Sequence, residues 1–156
     1  MNQKELNNRL LLASCDGNDA NVKESLRDGA DIESKSIFND TPLIYASHFG
    51  HAETVRLLLD MGADINAAND FSQNSMTYAL ANNHKESVIV LLENGIDIGI
   101  GGLLYTSNIW SKEDVQELII NKQPHNIKFF DDKIGIIPSL KLKYKDIIEL
   151  SLMGLF

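Results

Sequence analysis

The chain has a single cysteine, Cys15, so no internal disulfide can staple the fold, and the scarcity agrees with a reducing compartment. It has no apolar run near the roughly 18 residues that a membrane crossing requires. The opening Met1, Asn2, Gln3, Lys4 and Glu5 lack the basic-then-apolar plan of a signal peptide. Both absences point to a cytoplasmic protein with no membrane partner. No linker or low-complexity tract interrupts the sequence, which at 44% hydrophobic residues can bury a continuous core as one domain over residues 1–156. Basic residues are also few: 14 Lys and Arg against 22 Asp and Glu, a net charge of −8. Phosphate contacts need a basic stripe, so nucleic acid is disfavoured and a protein with a basic surface is the better electrostatic match. A surplus of this size also serves solubility alone.

Catalytic patterns are missing as well. The histidines His48, His51, His84 and His125 have no metal-ligand spacing with cysteines or carboxylates. The stretch Ile98, Gly99, Ile100, Gly101, Gly102 resembles a phosphate cradle only superficially, because no Lys-Ser/Thr follows it. Asp131 and Asp132 are adjacent, so their side chains diverge and suit a solvated turn. Cys15 has no evident base partner in sequence. These readings exclude a catalytic constellation, a metal site and a cofactor from the expectation.

What the chain does have is a period. Ala13, Ala46 and Ala79 recur 33 residues apart, as do Val22, Val55 and Val88; Leu26, Leu59 and Leu92; and Gly29, Gly62 and Gly95. Four residue types held in phase over three copies predict helix pairs stacked into a solenoid, each copy burying a face against the next.

The middle copy, residues 39–67, shows why. Thr41 is a good N-cap and Pro42 suits the first helical position, where no amide donor is needed. Leu43 and Ala46 share a face, and the small Ala46 admits a close neighbour. Gly50 offers the left-handed conformation that stops a helix, His51 and Ala52 make the turn, and Val55, Leu58 and Leu59 form the stripe of a second helix that ends at Gly62. With Thr41-Pro42-Leu43, Gly50-His51 and Gly62-Ala63-Asp64-Ile65-Asn66 in place, this segment closely resembles the ankyrin repeat. The copy at about residues 6–33 keeps Gly29-Ala30-Asp31-Ile32 without Thr-Pro-Leu and looks like an N-terminal capping repeat. The copy at 72–98 is degenerate, with Asn74-Ser75-Met76 for Thr-Pro-Leu and Asn83-His84 for Gly-His. Residues 103–156 read as divergent repeats and a C-terminal cap, with a helix over 111–121 and another over 146–153. Ile44 and Thr77 stand where the family's motif has histidine, so apolar packing has to substitute at Ile44.

The resemblance implies an all-α solenoid of helix-turn-helix units with short β-hairpin or loop fingers. It also implies a binding surface on the finger tips and the exposed side of each first helix, together one concave face. The matching positions are Ile37, Phe38, Asp40, Tyr45, His48 and Phe49 in the middle copy, and Asp70, Phe71, Gln73, Tyr78, Ala81 and Asn82 in the next; the first copy offers Leu12, Cys15 and Asp16. Phe38 with Phe71 and Tyr45 with Tyr78 recur at the repeat period and are expected to line up as ladders, ringed by Asp16, Asp40 and Asp70. Exposed aromatics on a rigid platform are common anchors of protein interfaces. The expected function is therefore a non-enzymatic, monomeric interaction module that inhibits or sequesters a partner carrying an apolar patch and basic rim, for example as an immunity or counter-defence inhibitor of a toxin or nuclease. A host-directed bacterial or viral effector is a second reading. A small enzyme or ligand-binding site built from Tyr105, Trp110, His125 and Asp131 is a third, from a different class.

Overall fold

The computed structural model describes residues 1–96, over which the repeat period becomes three helix pairs. The first pair is α1 (Gln3–Asp16) and α2 (Asp19–Arg27), the second α3 (Pro42–His48) and α4 (Ala52–Asp60), and the third α5 (Ser75–Ala81) and α6 (Lys85–Glu93). The expected units at 103–156, and the Gly-rich stretch at 98–102, lie outside the described residues. Among those described there is no strand, only an isolated antiparallel bridge between Ala68 and Asn74.

First helices stack on first helices, α1 on α3 and α3 on α5, while α4 packs between α2 and α6 in a second layer. The recurring residues fill the space between. Leu10, Leu43 and Met76 are buried at one repeat position, Ala13, Ala46 and Ala79 at another, and Val22, Val55 and Val88 at a third. Each fully buried valine, leucine or methionine of this set contributes about 1.5–3 kcal/mol of transfer free energy. In the second helices Ser25, Leu58 and Leu91 are as deeply buried as the valines; Leu26 and Leu59, one residue later, are only half-buried.

Helix ends follow the chemistry of their sequence. Thr41 Oγ1 accepts from the Ile44 amide, with Pro42 in the first turn, and in the degenerate copy Asn74 Oδ1 takes over by accepting from the Thr77 amide. Thr77 also donates its hydroxyl to Asn74 Oδ1 at 3.0 Å, a bond within its own helix start, whereas Ile44 is buried and replaces polar contacts with packing. The start of α1 departs from expectation. Asn2 and Glu5 form a reciprocal capping box that begins the helix at Gln3, earlier than the capping repeat was expected to start. At 14 residues α1 is twice the length of α3 and of α5, and its first turns occupy the chain positions that carry a finger in the later copies.

Successive copies are latched by histidine. The Nε2–H of His51 donates to the Cys15 carbonyl (2.8 Å), and that of His84 donates to the His48 carbonyl (2.9 Å). Each imidazole lies directly over a glycine of the preceding copy: a Cβ on Gly17 would come within 2.6 Å of the His51 ring, and one on Gly50 within 2.4 Å of His84. Those glycines are also left-handed, as is Asn83 at the equivalent place in the third copy (φ 58°). A second tie runs from the Thr54 hydroxyl to Asp19 Oδ1 (2.6 Å). One copy later, buried Ser87 stands where Thr54 does, but Ala52 stands where Asp19 does, and among the described residues the Ser87 hydroxyl has no partner.

Candidate protein-binding surface

Two fingers connect the helix pairs, and both are built by the same hydrogen bonds from different residues. In the first, the Ser36 amide donates to the Asp40 carbonyl and the Asn39 amide to the Ser36 carbonyl, with Asn39 left-handed at φ 63°. In the second, Asn69 donates to Gln73 and Ser72 to Asn69, with Ser72 left-handed at φ 57°. This is a three-residue hairpin loop closed by a left-handed residue. A side-chain oxygen staples each tip: Ser36 Oγ accepts from the amides of Phe38 and Asp40, and Asn69 Oδ1 from those of Phe71 and Gln73. Phe38 and Phe71 occupy the same place on each tip.

The fingers are joined side by side. The Asp70 amide donates to the Phe38 carbonyl (3.2 Å), Asn39 Nδ2 to Asp70 Oδ1 (2.6 Å), and Asn69 Nδ2 to Asp40 Oδ1 (2.7 Å). The Phe38 and Phe71 rings meet with centroids 6.0 Å apart at 45°, yet remain 50% and 64% exposed. Mutual contact and exposure coexist because each ring covers only one side of the other. Beside them Ile37 is 88% exposed, while Asp70 and Asn82 also face solvent.

Asp40 corrects the expectation. It is buried, and its carboxylate is consumed by Asn69 and, more weakly, by the Ser36 hydroxyl (3.3 Å), so it organises the fingers instead of forming part of an acidic rim. The rim is left to Asp16 and Asp70, both exposed. The tyrosine ladder is also rearranged. Tyr78 stacks on His48, not on Tyr45, with centroids 4.5 Å apart, and Phe49 covers the other side of the imidazole at 4.8 Å. His51 lies beyond Phe49 at 6.5 Å, so four rings form one row along the first-helix ends. Tyr45 and Gln73 are half-buried, as are His48 and Tyr78, and Phe49 is 46% exposed. The Tyr78 hydroxyl accepts from Asn69 Nδ2 at 3.1 Å, which connects the ring row to the fingers.

Asn69 is the residue that sequence reasoning missed. Its carbonyl oxygen accepts twice and its amide nitrogen donates twice, which uses its full hydrogen-bonding capacity on finger, neighbouring finger and helix at once. No identity repeat marks it, since Ser36 fills the equivalent position. Cys15 is half-buried. Burial and the neighbouring Asp16 carboxylate push its thiol up from the ordinary range, which works against a nucleophilic thiolate.

Five of the seven exposed large hydrophobic residues in the described part, Leu12, Ile37, Phe38, Phe49 and Phe71, belong to fingers or first-helix segments, which localises the apolar surface to that side. Among the described residues no group of three or more His, Cys, Asp or Glu is gathered so as to hold a metal ion, and no helix is long and apolar enough to cross a membrane.

A family model described as ankyrin repeats, in three copies, matches residues 10–101. The chain belongs to the ankyrin repeat family. Repeats of this family are generally protein–protein interaction modules and typically non-enzymatic. A search of curated proteins found no match.

Proposed function

We propose that this chain binds a partner protein through its finger tips and first-helix ends, and that occupation of the partner's own working surface makes it an inhibitor or sequestering factor. The observation that carries this reading is the paired Phe38 and Phe71 tip, held rigid by cross-finger hydrogen bonds while both rings stay half or more exposed. Rings fixed before binding lose little rotamer freedom on contact, which favours their use as anchors. Asp16 and Asp70 flank the apolar surface, and the chain's net charge of −8 supports a partner with basic residues around an apolar patch. The partner proposed is a toxin or nuclease whose working surface is basic, which would make the chain an immunity or counter-defence factor.

The test is a Phe38→Ala/Phe71→Ala double variant in affinity capture with mass spectrometry. Loss of specifically captured basic proteins, with Tm within a few degrees of the parent, is the expected result. Retention of those proteins, or a collapse of Tm that shows the rings to be structural, overturns the reading. Tyr78 is left unchanged because its hydroxyl and ring are both engaged by the fold.

A further inference from the structure

The contact between the two fingers is one rung of a ladder whose preceding rung is unmade. In the made rung, the carbonyl of Phe38 accepts from the amide of Asp70 while the ring of Phe38 packs on Phe71. One repeat earlier, Ile37 stands where Asp70 does and Phe38 where Phe71 does. No finger precedes them, because the corresponding positions fall in α1. Among the described residues the Ile37 amide has no acceptor, and Ile37 is the most exposed large hydrophobic residue at 88%.

We propose that the first finger takes a loop of the partner protein as an added rung, the loop supplying a backbone carbonyl to the Ile37 N–H and an aromatic or large aliphatic side chain to the open side of Phe38. This rests on the fingers being the recognition surface and names the element they recognise. An unpaired amide beside an exposed apolar side chain is the condition under which backbone pairing captures an extended segment. In the made rung Asp70 also accepts from Asn39, whereas Ile37 offers only aliphatic surface. The incoming loop therefore needs an apolar contact, and no amide side chain, at the Asn39 position. A foreign loop fits better than a second copy, since two chains of charge −8 repel each other.

The probe is a disulfide-closed peptide carrying residues 35–41, the finger that makes the existing rung, with Asn39→Ala to remove the amide side chain, titrated into the full chain and followed by amide NMR. Shifts at Ile37 and Phe38 are expected. Ile37→Pro removes the donor at a turn position that proline suits and should weaken binding about fivefold with Tm unchanged. Ile37→Ala keeps the donor and should retain affinity more closely than Ile37→Pro does. Equal affinity of Ile37→Pro and parent, or no shift at millimolar peptide, overturns the proposal. Shifts confined to Tyr45, His48 and Tyr78 overturn the added rung while leaving the wider surface intact. If Ile37→Pro loses Tm, amide exchange in the parent decides: slowing at Ile37 with peptide supports the rung, and unchanged exchange overturns it. Concentration-dependent self-association through Ile37 would overturn the choice of a foreign loop.

Discussion

Replacing Asn69 with alanine should loosen the second finger and weaken its ties to the first finger and to the third helix pair. The substitution removes four hydrogen bonds at 2.7–3.1 Å. The Phe71 and Gln73 amides lie at a part-buried tip where water can replace the lost acceptor, so each contributes the modest net value of an ordinary bond, about 0.5–1.5 kcal/mol. Asp40 is different. Its buried carboxylate loses its shortest partner and keeps only a 3.3 Å bond from Ser36, at a cost of about 1–3 kcal/mol. The sum is about 3 kcal/mol after partial hydration of the tip, which lowers Tm by about 12–24 °C if a unit of this size melts cooperatively. Asn69→Asp keeps both acceptors, loses both donors and faces Asp40 with a like charge, so it should be no milder. Urea unfolding measures the total, and amide exchange at Phe71 and Gln73 reports whether the fingers open before the helices. A loss under about 1 kcal/mol, with exchange at both amides unchanged, would refute the reasoning.

Two further substitutions test the contacts between copies. Gly50→Ala should cost about 3 kcal/mol, because the left-handed backbone disfavours a side chain and the new Cβ would meet His84. Gly62→Ala, left-handed with nothing within 4 Å, should cost only about 1–2 kcal/mol, and equal losses in urea unfolding would show that the histidine contact has no weight. Ala52→Asp should stabilise by about 1 kcal/mol, since it places at the start of α4 the acid that Asp19 provides at the start of α2 and gives the Ser87 hydroxyl a partner. No gain in Tm would mean that Ser87 cannot turn toward it.

The helices and their order were readable because the residues that make them recur in kind. Ala46, Val55 and Gly62 do the same work as their counterparts, so identity at the repeat period reports structure directly. The fingers were not readable that way. Ser36 and Asn69 perform one task with different atoms, and so do Asn39 and Ser72, whose left-handed backbone carries no shared letter. Asp40 was assigned to solvent because an acid on a loop usually is; its burial depends on a donor 29 residues away. The ring row was mispaired for a related reason. Repeat position aligns Tyr45 with Tyr78, but the reach of the side chains brings His48 into the stack instead. The start of α1 was written plainly in Asn2 and Glu5, yet no other copy has a counterpart, and a reading tuned to periodicity passes over what happens once.

The glycine beneath each latching histidine also sets a rule for extending the array. Gly17 and Gly50 leave room that the next copy's imidazole fills, whereas Asn83 adopts the same left-handed backbone but carries the Cβ that those glycines lack. A designed consensus copy grafted after Ile96 would find its socket blocked until residue 83 became glycine.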